Sequence, residues 1–271
     1  MNLKAATAGV VAAGLFGSIP LLAHDSRDAQ FGTVHFPTSC NQAAQQRFDG
    51  AMRYQHSFWY RESRKLFEEA LAADSECAIA HWGVALSLLF NPHVPPPTQN
   101  LVSGLAALEK GKALGAKTQR ERDYIDALLA FYTDHDKVPH GERVQRYLAA
   151  LEVLAARYPD DDEAQIAYAI TLNVAAPPND KISASQLKGA ATREPIFTRQ
   201  PRPPGVAHSL IHLYDYPPIA EKGLDAARRY SEIAPAAPHA LHMPSHIFTR
   251  VGYWKERSEE HTSELQSLAY L

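Results

Sequence analysis

An all-α chain of antiparallel helix pairs is what these 271 residues predict, and three observations carry that prediction. Apolar residues recur at three- and four-residue steps, the period at which one face of a helix turns towards a core. Breaker-rich stretches separate these runs at the spacing of short inter-helix connections. Near the end, Pro201, Pro204, His208 and His212 are each followed 34 residues later by a like residue, at Pro235, Pro238, His242 and His246. With 45% hydrophobic and 21% charged residues, the composition suits a folded domain, and no segment alternates with a strand period for long.

The elements follow in chain order. Lys4 precedes an apolar stretch from Ala5 to Leu22, broken by Gly14, Gly17 and Pro20 and ending at the small residue Ala23. That is the pattern of a secretory signal peptide, residues 1-23, so the mature chain is expected to be periplasmic or secreted. An uncleaved anchor is the other reading, which Pro20 and the glycines weaken. Residues 24-41 form an N-terminal extension ahead of a helical-repeat domain over 42-256. Within that domain Phe48, Met52 and Phe58, then Leu66, Phe67, Ala70 and Leu71, then Trp82, Ala85, Leu86 and Leu89 keep the helical step. Connections fall at 73 to 76, 94 to 97, 158 to 161 and 201 to 204. Pro204 and Pro238 suit the first turn of a helix, where the missing N–H has no partner to lose. Pro244 offers a competing start, since a proline well inside a helix costs ~3 kcal/mol. Arg257 to Leu271, RSEEHTSELQSLAYL, resembles a translated sequencing-adaptor sequence, so 257-271 is read as a non-native tail on a truncated chain. The alternative is an amphipathic helix packed by Leu265 and Leu268.

Export would bring Cys40 and Cys77 into an oxidising compartment, where two thiols allow one intramolecular pairing. A Cys40–Cys77 disulfide is therefore expected, worth roughly 3–4 kcal/mol on the chain-entropy model. The other reading is two inert buried thiols.

Gly50, Ala51, Tyr54, Ser63, Phe67, Ala70 and Ser75 follow a pattern that resembles a tetratricopeptide repeat (TPR), with Ser75 where that repeat ends in proline. Tyr147 to Pro159 followed by Ala164 to Leu172 fits more loosely. His56 to Tyr60 (HSFWY), Cys77 to Gly83, Ala207 to Asp215 and Ala237 to Arg250 (APHALHMPSHIFTR) extend the likeness. Together they resemble a group of exported bacterial TPR proteins. The resemblance implies a TPR-like solenoid of stacked helix pairs with a concave groove, and it implies export. It brings no activity with it.

His208 and His212 are four apart, as are His242 and His246, which puts each pair on one helical face. Asp215 extends the first face and His239 the second. If repeats stack, His208, His212, Asp215, His239, His242 and His246 converge, and imidazoles with a carboxylate are ligands for zinc, copper or nickel. Asp215 has the alternative role of orienting a histidine. The competing reading is a set of histidines bonded to a peptide or to neighbouring helices. His56 is a candidate seventh participant from the first repeat, though too distant in sequence to be assumed close, and His35, His81 and His93 read as isolated. Phe58, Trp59, Tyr60 and Trp82 read as packing between helices, with a ligand-stacking surface as the alternative.

A formal charge of -3 with 27 scattered Lys and Arg leaves no basic field for nucleic acid. No H-E-x-x-H, phosphate loop, dinucleotide fingerprint or nucleophile elbow is present. The functional expectation is a scaffold that binds a protein or peptide in its groove and carries a divalent transition metal, zinc or copper. The alternative is a metal-dependent enzyme or accessory protein using the same histidines.

Overall fold

The computed structural model describes residues 28–177, 183–200 and 202–257. The expected signal peptide and the tail after Arg257 lie outside those residues. Among the described residues the secondary structure is helical, with no strand. The helices are α1 (Gln42–His56), α2 (Tyr60–Ala73), α3 (Ala78–Leu88), α4 (Thr98–Leu114), α5 (Gln119–Tyr132) and α6 (His140–Arg157). They continue as α7 (Asp162–Val174), α8 (Ala184–Arg199), α9 (Pro204–Tyr214), α10 (Leu224–Ile233), α11 (Pro238–His242) and α12 (Pro244–Val251). Single 3-10 turns occupy Asp28–Phe31 and Ala220–Gly223. None of these helices is long and apolar enough to cross a membrane.

Local chemistry sets many of the boundaries. The Asn41 side chain accepts from the Ala44 N–H at 2.9 Å and starts α1. Thr118 and Glu121 form a reciprocal capping box on α5, and Asp161 caps α7. Pro204 and Pro238 open α9 and α11. Pro244 then divides the C-terminal helix: α11 ends at His242 and α12 begins at Pro244, although Met243 between them keeps a helical conformation. Both positions considered as helix starts are therefore used, and the four-residue phase of His242 and His246 survives the break.

Consecutive helices pack in neighbouring pairs, α1 with α2, α3 with α4, α5 with α6 and α7 with α8. First helices also meet the next first helix, as α1 does α3 and α3 does α5. Close approach demands small residues at the crossings. A Cβ on Gly83 would lie 2.3 Å from the Phe67 ring, so α3 can sit on α2 only with glycine there. Ala51 on α1 and Ser63, Phe67 and Ala70 on α2 are wholly buried.

The apolar interior forms two clusters. One holds Phe36, Phe48, Phe67, Trp82 and Tyr124 with the helices up to α7; the other gathers α8 to α12 around Ile196, Leu210, Tyr230 and Ile247. The N-terminal extension crosses between them. Phe31 packs on Tyr54 and Trp59, and the Thr33 N–H bonds to the Arg202 carbonyl at 2.9 Å. Helix α1 also contacts α9, far along the chain, so the array curls back on itself. Cys40, just before α1, and Cys77, the N-cap of α3, are joined by a disulfide with Cα atoms 5.0 Å apart.

Candidate metal centre

The site is built where α9 and α11 pass the end of α1. Helix α9 carries His208 and His212 one turn apart, with Pro204 and Gly205 in its first turn. A Cβ on Gly205 would lie 2.4 Å from Nδ1 of His56, so glycine is what lets α9 lie against the end of α1. The contact brings the His56 backbone carbonyl to the His208 ring, where it accepts from Nδ1 at 2.8 Å. A carbonyl can only accept, so the proton resides on Nδ1 and Nε2 of the neutral ring keeps its lone pair.

That Nε2 faces two others. Nε2 of His212 and Nε2 of His239 each lie 3.0 Å from Nε2 of His208. One nitrogen from each of the three rings falls within 4.8 Å of the other two. A single lone pair cannot take two full hydrogen bonds in its own direction, yet both neighbours aim at it. Three nitrogens on a tetrahedral zinc at 2.0–2.1 Å would stand about 3.3 Å apart, a few tenths of an ångström from the two separations that involve His208. The three imidazoles can hold a metal.

The surroundings keep these rings neutral. Burial pushes His208 far below the ordinary histidine range, and the adjacent His239 and His212 add to it. His212 is lowered to about 3, by burial first and then by neighbouring histidines, and His239 to about 4 for the same reasons. Neutral imidazole is the ligating form, so no proton competes for the metal near neutral pH. Phe58 covers the group: its ring stacks on His239 at 4.7 Å and meets His208 edge-on at 4.3 Å. Tyr230 stacks on His208 at 5.3 Å.

The remaining candidates lie alongside. Nε2 of His242 and Nε2 of His246 are 3.1 Å apart, and Nδ1 of His246 donates to Asp215 at 2.9 Å. Arg250 donates to the other Asp215 oxygen at 2.8 Å. Burial works against the Asp215 charge, but the bonds from His246 and Arg250 outweigh it and hold its carboxyl below the usual range. The His239 and His242 ring centres are 6.3 Å apart, so all six residues singled out from the sequence form one file of side chains. His208, His212 and His239 close into a triad; Asp215, His242 and His246 continue from it.

The sequence does not show how three further residues reach the site. His56 contributes its carbonyl, while its ring turns away to bond Glu163 at 2.9 Å. His93 reads as isolated in sequence, yet its ring lies 5.2 Å from that of His212. Phe58 sits at the α1–α2 turn with a left-handed φ of 58°, which swings its ring over the triad. The aromatic run HSFWY signalled this position without showing what it covers. Arg250 is carboxylate-paired, as its residue type suggests.

A large cleft among the described residues lies elsewhere. About 690 Å³ in volume, it is lined by the N-terminal extension, Arg120, Asp160 to Glu163 and Gly205, and by none of the six candidate ligands. A smaller apolar cavity of about 100 Å³, between Trp82, Tyr60 and Ile166, reaches His208 from the interior. Comparison with models of known protein families and with curated proteins finds no match to this chain.

Proposed function

We propose that this is an exported helical-repeat protein of the tetratricopeptide type that binds a divalent transition metal, zinc or copper, through His208, His212 and His239. One observation carries the reading: three neutral Nε2 atoms converge, two of them 3.0 Å from a third whose lone pair is exposed by the bond from Nδ1 to a backbone carbonyl. Orientation of a ligand histidine through its other nitrogen is the usual supporting shell of a metal site. Three imidazoles leave a fourth position for water or an incoming ligand. Export is supported by the Cys40–Cys77 disulfide together with the apolar start of the chain. The repeat type is supported by helix pairing and by the 34-residue spacing.

Binding rather than turnover is the favoured role, because among the described residues the carboxylates near the triad are already engaged and none is placed as a base. Glu163 is engaged by His56, and Asp215 by His246 and Arg250. The large cleft favours a companion role, docking of a protein or peptide, since its wall combines Arg120 with the acidic run 160–163. Elemental mass spectrometry on the purified mature chain tests the metal reading. One tightly held zinc or copper per chain is expected to survive desalting against a weak chelator, and that equivalent is lost from a helical variant with His208, His212 and His239 changed to alanine. Equal metal in both proteins would refute it.

A further inference from the structure

We infer that the protein binds a second divalent transition metal, at the surface, through Nε2 of His242 and His246. The inference rests on the triad reading and adds a separate position to it. His246 is held as His208 is: Nδ1 donates, here to Asp215 at 2.9 Å, which leaves Nε2 as the ligating atom. Asp215 is itself fixed by Arg250 at 2.8 Å through its other oxygen, which leaves the carboxylate little freedom to turn towards the metal. Nε2 of His242 faces Nε2 of His246 at 3.1 Å, the separation of two ligands on one ion. The Pro244 break between α11 and α12 does not disturb this, because Met243 keeps the helical phase that brings the two rings edge to face.

The two positions differ in access. His208 is 2% exposed, whereas the His246 side chain is 36% exposed and Asp215 20%. Two imidazoles complete only half of a tetrahedral shell, so water or an external ligand fills the rest. His239 links the positions, with its ring centre 4.7 Å from that of His208 and 6.3 Å from that of His242.

Calorimetric titration of the metal-free full chain with zinc chloride tests this, alongside two variants whose helicity is checked by circular dichroism. The wild type takes up two equivalents in two steps. His242→Ala/His246→Ala keeps one, the tighter. Asp215→Asn, which retains the side-chain volume, weakens the second step about 10–100-fold and leaves the first unchanged. One equivalent in the wild type would overturn the second position and leave the triad standing; no uptake would remove both. Two equivalents in the double variant would place the second zinc elsewhere, and loss of both from it would mean a single fused site; either result overturns the inference.

Discussion

Replacing Gly205 by alanine tests packing and site geometry in one substitution. The added Cβ would lie 2.4 Å from Nδ1 of His56 and 2.7 Å from its Cγ and Cε1, well inside contact distance. The ring cannot retreat freely, because Nε2 bonds the Glu163 carboxylate at 2.9 Å and the residue is 7% exposed. Overpacking of this kind costs about 1–3 kcal/mol. If the ring leaves Glu163, a further hydrogen bond to a charged group is lost, about 1.5–3 kcal/mol. The better helix propensity of alanine returns at most ~1 kcal/mol. The net expectation is destabilisation of about 2–5 kcal/mol, a fall in the urea midpoint of about 1 M or more for a slope near 2 kcal/mol/M. Movement of His56 also shifts the carbonyl that orients His208, so zinc affinity falls about 10–100-fold. Urea unfolding followed by circular dichroism, and zinc competition with a chromophoric chelator, read the two effects. A variant as stable as the wild type with unaltered zinc affinity would refute the reasoning.

Other expectations follow from the same contacts. Reduction of Cys40–Cys77, which closes a loop with a sequence separation of 37, lowers stability by about 3–4 kcal/mol; an unfolding midpoint unmoved by reductant would contradict it. Phe58→Ala removes the cover over the triad without removing a ligand. Metal stoichiometry should be retained while affinity for zinc drops about tenfold or more, and stopped-flow release to a chelator should quicken; unchanged release would make Phe58 mere packing. Asn41→Ala deletes the cap of α1 and costs about 1 kcal/mol in chemical denaturation, whereas no loss would show the cap to be dispensable.

The helical class was readable because it rests on local signals. Periodic apolar residues, the breakers at 73 to 76 and 158 to 161, and the prolines opening α9 and α11 all act within a few residues of themselves. The four-residue spacing of His208–His212 and His242–His246 was equally local. What joins the two helices was not. The 34-residue offset pairs His208 with His242, whereas the partner in space is His239, 31 residues on and about one helical turn earlier. Phe58 and the His56 carbonyl reach the triad only because α1 meets α9, a contact spanning 152 residues that no periodicity announces. The glycine that permits it, Gly205, looks in sequence like any residue following a proline. His93 sits in a proline-rich connection whose path depends on the helices on either side of it, and so its approach to His212 could not be foreseen.

The central claim is a metal held by three imidazoles, and anomalous diffraction from crystals of the zinc-loaded chain tests it most directly. Data collected at the zinc edge should show a peak among His208, His212 and His239, about 2.0–2.1 Å from Nε2 of each. A difference map with no peak among those three nitrogens, while zinc scatters elsewhere in the same crystal, would contradict the claim.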